Sequence, residues 1–248
     1  MQARLDPPAA VLRRLDAHLA EGERARARRR QASVEHSRFV ARHGWLRVAL
    51  ARELGCAPGD VELVAPPGRK PYVAGSQLRF SVTRSGDIAL FALCWSAEVG
   101  VDVERARLGP DPLRFAARWY TRSERAEVEA AAPSEQDRRC LEIWTRKEAY
   151  LKAVGTGLRV PLAVVEVAGA CGAGGAVRVG GFVVHQLALG EGLIGAVAVE
   201  DRDPPIDVPP VAVPLPAGTS SPAPALRSVT WPTPGTQPGS GVPGRQLR

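Results

Sequence analysis

The proline content changes abruptly after Glu200, and this change limits how much of the chain can fold into a compact domain. Of the 22 prolines in the 248 residues, 12 follow Glu200, mixed with Gly, Ser and Thr. A segment of this composition buries too little apolar surface to offset the entropy that it loses on ordering. We therefore expect residues 202–248 to form a disordered tail and the preceding residues to form the folded part.

The first half of the folded part has the pattern of helices followed by a strand meander. Apolar residues recur at helical spacing in residues 7–20 and 33–54, and Gly55 fits a helix end. Short turn sequences, SGD and SAE, separate several β-rich runs that come next. The predicted strands are residues 61–65, 78–84, 87–95 and 99–104.

The second half repeats this order with further helices and strands. The dipeptide Asp111-Pro112 fits the N-cap and first position of a helix. Thr121 with Glu124 fits the capping box of another helix, and a third is predicted from Ser134 onward. Three more strand regions are predicted at residues 163–169, 176–189 and 193–200.

This order of elements predicts an α+β fold of two lobes. Helices and a meander occupy residues 1–100, and a second set of helices and strands occupies residues 101–201. We therefore expect an N-terminal lobe, a C-terminal lobe and the tail at 202–248.

Cysteine usage and charge exclude several classes of protein. The four cysteines form no CxxC pair, so we expect neither a zinc site nor disulfides, but reduced thiols in the cytoplasm. No segment approaches the roughly 18 apolar residues of a membrane helix. Most of the net charge of +7 lies in residues 1–48, with eleven Arg against five Asp and Glu. The run ERARARRRQ there fits either a solvated helix face or a contact with phosphate or an acidic partner.

The sequence VGVDVE at residues 99–104 places two carboxylates on one face of a strand. Alternation with a period of two puts three valines on one face and Asp102 with Glu104 on the other. Such carboxylates either solubilise an exposed strand or bind a cation. A few carboxylates, completed by waters and a substrate phosphate, are the usual ligands of Mg²⁺.

Two of the three lysines in this arginine-rich chain flank a glutamate in WTRKEAYLK, residues 144–152. Glu148 and Lys152 are four residues apart, so one interpretation is a surface ion pair worth about 0.3 kcal/mol. That interpretation does not account for Trp144 on the same helix face or for the glycine pair that follows. The alternative is that Glu148 and Lys152 project toward the strand of Asp102 and Glu104 and complete a magnesium and pyrophosphate site.

Five separated segments together resemble the 4′-phosphopantetheinyl transferase superfamily, in its longer, two-lobed surfactin-synthetase-activating type. The last segment is the most specific, because W-(S/T)-x-K-E-A-x-x-K followed by a glycine pair is hard to obtain by chance. The resemblance covers roughly residues 30–200. In the order of the family, the segments are GRKP (68–71), FSVTRSGD (80–87), VGVDVE (99–104), RFAARWYTRSE (114–124) and WTRKEAYLKAVGTGL (144–158).

The resemblance implies two similar α/β lobes related by a pseudo-twofold axis, with coenzyme A in the cleft between them. The implied reaction transfers the 4′-phosphopantetheine arm of coenzyme A to a serine of an apo acyl or peptidyl carrier protein of fatty-acid, polyketide or non-ribosomal peptide biosynthesis. Adenosine 3′,5′-bisphosphate is released, and Mg²⁺ is the implied cofactor. We expect a cytoplasmic monomer that binds neither membranes nor nucleic acid.

The resemblance also implies roles for individual residues. Asp102, Glu104 and Glu148 match the magnesium carboxylates, and Glu148 also matches the residue that deprotonates the serine. Lys152 matches the lysine at the pyrophosphate, and Glu124 matches a further acidic position that we assign to catalysis. The implied contacts to coenzyme A are Arg38, with Arg42 as the second choice, Lys70, Arg84, Ser85 and Lys152.

One position departs from the family pattern. The family usually has S-H-S where this chain has Thr83-Arg84-Ser85. Arg84 supplies a permanent charge and a bidentate donor for phosphate, but not a neutral imidazole. One alternative is therefore a weak or silent paralogue that binds coenzyme A or a carrier without transfer. A second is a basic nucleic-acid-binding protein, although ERARARRRQ lacks interleaved aromatic residues.

Overall fold

The computed structural model of the chain describes residues 1–30, 33–95, 97–107, 109, 111–169 and 175–202. Helices and antiparallel sheets occupy separate segments, which confirms the predicted α+β class. The tail predicted at 202–248 lies outside the described residues, apart from Arg202. Within the described ranges, no helix combines the length and the apolar character needed to cross a membrane.

The N-terminal part packs helices against an antiparallel three-stranded sheet. Its elements are β1 (Gln2–Arg4), α1 (Ala9–Ala17), α2 (Glu21–Arg28), α3 (Val34–Leu54), β2 (Leu63–Val64), β3 (Tyr72–Val73), β4 (Leu78–Ser85) and β5 (Ile88–Trp95). The sheet has the order β1-β5-β4, and β2 pairs with β3 separately. Helix α3 begins after Ser33, whose side chain accepts a hydrogen bond from the His36 N–H, and ends at Gly55 in the left-handed conformation (φ 68°), as predicted.

The C-terminal part packs a long helix against a four-stranded sheet. Its elements are β6 (Val99–Arg105), α4 (Pro112–Trp119), α5 (Arg122–Ala130), α6 (Gln136–Val154), β7 (Ala176–Val179), β8 (Phe182–Leu187) and β9 (Leu193–Glu200). The sheet has the order β6-β9-β8-β7, entirely antiparallel. The predicted N-cap at Asp111 and the capping box of Thr121 with Glu124 are both present. The division into lobes near residue 100 stays a prediction.

The strand predicted at residues 163–169 is wrong. The structure has a single 3₁₀ turn at Leu162–Val164 there, followed by irregular backbone. Buried cationic side chains of α6 donate hydrogen bonds to backbone carbonyls of this segment. Lys147 Nζ donates to the carbonyls of Leu162 and Val165, and Arg146 donates to that of Val167. Because these carbonyls are already satisfied, the segment needs no neighbouring strand.

Gly100 decides how closely α6 approaches β6. A β-carbon at this position would overlap the Ala149 carbonyl oxygen and the Ala153 amide nitrogen of α6. The helix therefore lies directly on the strand only because residue 100 lacks a side chain. This close approach brings Glu148 and Lys152 of α6 to the two carboxylates of β6.

Strands β4 and β6 lie side by side at the junction of the two parts, although each is the edge strand of its own sheet. One face of β6 packs into a buried apolar cluster, as the alternation predicted. This face carries Val99, Val101 and Val103. The opposite face of β6 carries Asp102 and Glu104. The junction therefore places these carboxylates against polar side chains of β4.

Candidate functional site

Asp102 lies at the centre of the candidate site and is almost completely buried. Its Oδ1 accepts hydrogen bonds from the Thr83 hydroxyl at 2.9 Å and from Lys152 Nζ at 2.5 Å. The Lys152 ammonium also donates to Thr83 Oγ1 at 3.3 Å. Strand β6, strand β4 and helix α6 thus each contribute one polar group to a single cluster.

Glu104 and Glu148 flank this cluster from the strand and the helix. The Ser85 hydroxyl donates to Glu104 Oε2 at 2.8 Å. Glu148 is half-buried. Among the described residues, neither its Oε1 nor the buried Oδ2 of Asp102 has a hydrogen-bond partner. Buried polar atoms without partners are rare, because desolvation costs free energy that no contact returns.

The pKa values of the three carboxylates are all raised. Burial is the largest cause of the raised pKa of Asp102, Glu104 and Glu148. The charge of Asp102 raises the pKa of Glu104, and both of these charges raise that of Glu148. Lys152 opposes the rise at all three. One ammonium group therefore faces three carboxylates, and a further cation would favour their ionised forms.

The cluster offers carboxylate oxygens to a divalent ion that takes its remaining ligands from a substrate and water. Among the described residues, no group of three or more His, Cys, Asp and Glu side chains is arranged to hold a metal ion. Mg²⁺ does not need such a set, because it commonly takes one or two carboxylates and fills the other positions with waters and phosphate oxygens. The carboxylate oxygens that remain available to such an ion are Asp102 Oδ2 and Glu148 Oε1.

A cleft of about 690 Å³ leads to this cluster from the outside. Its basic lining residues are Arg42, Arg69, Lys70, Lys152 and Arg159, and its described lining includes no Asp or Glu. Its remaining lining includes Gly155, Thr156 and Gly157, so the glycine pair that follows WTRKEAYLK forms part of the wall. A cleft with this charge suits a ligand that carries several phosphate groups.

Of the two arginines predicted on α3, Arg42 lies at the cleft and Arg38 does not. Arg38 makes a bidentate ion pair with Asp6 at 2.8 and 2.9 Å. Arg42 lines the cleft, and burial, together with the charges of Arg84 and of Arg30, which follows α2, lowers its pKa. The second-choice arginine is thus the one at the cleft, because the spacing along α3 did not reveal the carboxylate that pairs with Arg38. Which of the two contacts coenzyme A stays a prediction.

Lys70 and Arg84 are both engaged with protein groups, and Arg84 is outside the described lining of the cleft. Lys70 lines the cleft, and its Nζ donates to Glu98 Oε2 and to the Val99 carbonyl, each at 2.7 Å. Arg84 is half-exposed beside Arg42 and pairs with Glu35 at 3.1 Å. A phosphate ligand would have to compete with these carboxylates for both side chains.

Glu124 lies apart from the cluster, and its catalytic assignment stays a prediction. It is fully buried, and its Oε2 lies 2.6 Å from Lys147 Nζ. The Val167 N–H donates to Oε1 at 2.9 Å, and the Thr121 N–H donates to Oε2 at 3.0 Å. Both oxygens are thus used by the protein itself, and no side of the carboxylate is open to a substrate.

Several contributors to the site were not identified from the sequence. Thr83 contacts both Asp102 and Lys152. The resemblance to the family had implied roles only for its neighbours Arg84 and Ser85. Arg69 and Arg159 line the cleft beside Lys70. The alternating hydroxyls of FSVTRS were the available signal for Thr83, since residues two apart in a strand share a face. Arg69 lies in the GRKP segment, of which only Lys70 was assigned, and nothing local distinguished Arg159 among the 30 arginines of the chain.

Comparison with known proteins identifies a matching family and several relatives. Residues 98–196, which contain Asp102, Glu104, Glu148 and Lys152, match the family model of the 4′-phosphopantetheinyl transferase superfamily. The 4′-phosphopantetheinyl transferase HetI of Nostoc sp. is 36% identical over 66% of this chain and 70% of its own length.

Two relatives from Bacillus subtilis are more distant. A 4′-phosphopantetheinyl transferase is 26% identical over 60% of this chain and 66% of its own length. The 4′-phosphopantetheinyl transferase Sfp is 25% identical over 47% of this chain and 51% of its own length. The matches therefore span about half to 70% of these relatives. The family model and the Nostoc relative together confirm that the chain belongs to the 4′-phosphopantetheinyl transferase superfamily.

Proposed function

We propose that this protein transfers the 4′-phosphopantetheine arm of coenzyme A to a serine of an apo carrier protein, as a cytoplasmic monomer. One observation carries the proposal: Lys152 lines the basic cleft and also pairs with Asp102, beside two further carboxylates. Cations along the cleft suit the phosphates of coenzyme A. The carboxylates next to Lys152 suit a metal ion and a proton acceptor.

Coenzyme A would lie along the cleft with its pyrophosphate near Lys152. Arg42, Arg69 and Arg159 are the cleft cations that can pair with its phosphate groups. Lys152, with 29% of its side chain exposed, can reach a phosphate oxygen without leaving the cluster. On binding, the phosphates of coenzyme A would exchange their surrounding water for the fixed positive charges of the cleft. These contacts would position the pyrophosphate for attack.

The reaction would be a direct displacement at phosphorus. The serine Oγ of the carrier attacks the phosphorus that bears the pantetheine arm, and the bond from that phosphorus to the oxygen of adenosine 3′,5′-bisphosphate breaks. The hydroxyl proton passes to the carboxylate of Glu148, through the oxygen that does not face the cation. Lys152 donates to the leaving phosphate oxygens.

Asp102 and Glu148, with Glu104 beside them, are the residues that would hold Mg²⁺. When bound, the ion supplies positive charge for the oxygens of the pyrophosphate, which become more negative as the bond breaks. Lys152 donates to Asp102 and would remain within reach of the same phosphates. Thr83 and Ser85 donate hydrogen bonds to Asp102 and Glu104.

Intact mass measurement tests the proposal directly. The full chain is incubated with coenzyme A, Mg²⁺ and separate apo carriers of the fatty-acid, polyketide and non-ribosomal peptide classes. We expect at least one carrier to gain the mass of one phosphopantetheine arm, and Glu148→Gln to lose this activity. An excess of chelator should stop the transfer. If every carrier keeps its mass while the protein still binds coenzyme A, the protein is a silent paralogue and the proposal is wrong.

A further inference from the structure

The junction between β4 and β6 is made by side-chain hydroxyl groups. Ser81, Thr83 and Ser85 alternate along β4, so that all three project from the same face toward β6. Strand β6 pairs with β9 along its other edge, and β4 pairs with β5 along its own other edge. Side chains therefore bridge two strands that belong to different sheets.

Each of these hydroxyls has a defined partner on β6. Ser81 Oγ accepts from the Val101 N–H at 3.1 Å, and Ser85 Oγ accepts from the Arg105 N–H at 3.2 Å. Between them, Thr83 donates to Asp102 Oδ1. Along β4 the hydroxyl-bearing residues are 81, 83 and 85, and their partners on β6 are residues 101, 102 and 105. Both series increase together, so the two strands run in the same direction. Edge N–H groups that would otherwise lack partners are thereby satisfied.

The same contacts fix the direction in which the hydroxyl protons point. Ser85 Oγ accepts the Arg105 N–H, so its own proton is available to Glu104 Oε2 at 2.8 Å. Thr83 Oγ1 accepts from Lys152, so its proton is directed to Asp102 Oδ1. Each strand carboxylate thus has one oxygen held by a hydroxyl of the opposite part.

We propose that Thr83 and Ser85 are positioning residues, which hold one oxygen of Asp102 and of Glu104 so that the other oxygen faces the cation and phosphate. This inference rests on the proposed function. Such hydrogen bonds to metal-binding carboxylates set the orientation of the ligands, and their removal typically costs about 10- to 100-fold in metal affinity. Neither hydroxyl needs to touch the substrate for this role.

The test compares Mn²⁺ binding by the full chain in the absence of coenzyme A, with Mn²⁺ as the probe for the divalent site. Thr83→Val removes the hydroxyl at nearly constant volume and should weaken Mn²⁺ binding about 10-fold or more. Thr83→Ser keeps the hydroxyl and should restore binding to within about 3-fold of the natural protein. Ser85→Ala should also weaken binding, through Glu104.

Ser123→Ala is the matched control. The Ser123 hydroxyl donates to the Glu166 carboxylate at 2.6 Å on the exposed surface of α5, away from the cluster. We expect this variant to bind Mn²⁺ as the natural protein does. Amide hydrogen exchange adds a readout that needs no metal: Ser85→Ala should accelerate exchange at the Arg105 N–H, which then loses its acceptor.

The outcomes separate this inference from the proposed function. If the natural protein fails to modify any carrier but Thr83→Val still weakens Mn²⁺ binding, the transfer reaction is wrong and the positioning role stands. If the natural protein modifies a carrier while Thr83→Val and Ser85→Ala bind Mn²⁺ normally, the positioning role is wrong. Failure of the natural protein to bind Mn²⁺ at all would also overturn it.

Discussion

Helix α6 carries two lysines that meet carboxylates in opposite ways. Lys147 pairs with Glu124 in the interior, where both side chains are fully buried. Lys152, which lines the cleft, pairs with Asp102, and there Asp102 Oδ2 and Glu148 Oε1 have no hydrogen-bond partners among the described residues. The first pair is closed because backbone groups use its remaining hydrogen-bonding capacity. The second is open, and its unused capacity is available to a ligand.

The difference shows that a charged motif can serve structure and chemistry at once. Lys147 also donates to the carbonyls of Leu162 and Val165, and so attaches an irregular segment to the helix. Lys152 donates only to Thr83 and Asp102 among the described contacts. We expect substitutions at the closed pair to change stability, and substitutions at the open cluster to change activity.

The largest expected effect is the loss of stability when the closed pair is broken. Lys147→Met leaves the Glu124 charge buried without its counter-ion, which should lower the free energy of unfolding by about 3–5 kcal/mol. Urea unfolding measures this change. The double variant Glu124→Gln/Lys147→Met should recover much of the loss, and Lys152→Met should cost far less. If Lys147→Met lowers the free energy of unfolding no more than Lys152→Met does, the closed and open pairs do not differ in their contribution to stability.

The second effect is a loss of turnover without a loss of stability at the open cluster. Glu148→Gln should reduce transfer about 100-fold or more, because it removes the proposed proton acceptor and one metal ligand. Its free energy of unfolding should stay unchanged or rise, since the variant relieves the repulsion from Asp102 and Glu104. Initial rates and urea unfolding give the two values, with Glu129→Gln on the exposed face of α5 as the control. Marked destabilisation would show that Glu148 is a structural residue.

A smaller effect distinguishes the arginines around the cleft. Arg42→Ala should raise the KM for coenzyme A about 10-fold, the size expected when one charged hydrogen bond of about 1.5 kcal/mol is lost. Arg84→Ala should raise the KM less, because Arg84 is half-exposed and already paired with Glu35. Arg38→Ala should have the smallest effect, since its bonds go to Asp6. A larger effect at Arg38 than at Arg42 would contradict the assigned order.

The smallest effect concerns pH. An acid whose pKa is higher in the folded than in the unfolded protein destabilises the fold in its ionised form, and this penalty disappears when pH falls below the unfolded pKa. Without divalent cations, any stability advantage of Glu148→Gln over the natural protein should therefore be largest near neutral pH. It should vanish toward pH about 4, where an unfolded glutamate is protonated. Unfolding curves across this pH range measure the difference, and an advantage that grows at low pH would contradict the raised pKa.

Most helix boundaries were predictable because their causes lie within a few residues. Ser33, Asp111 and Thr121 accept hydrogen bonds from the first turns of α3, α4 and α5. Gly55 and Gly155 end α3 and α6 with positive φ. The strand predicted at 163–169 failed because an apolar β-rich run does not reveal that side chains from another helix satisfy its carbonyls.

The sequence by itself determined the family, the order of the elements and the set of candidate carboxylates, because these depend on local patterns and on motifs in a fixed order. The tertiary structure decided which charged residues act together. It placed Lys152 on Asp102 and Lys147 on Glu124, put Arg42 rather than Arg38 at the cleft, and turned the β4 hydroxyls toward β6. Each of these pairings joins residues far apart in the chain, and the contact of Lys152 with Asp102 depends on the close approach of α6 that Gly100 allows. Spacing along a helix gives the direction of a side chain, but only packing supplies its partner.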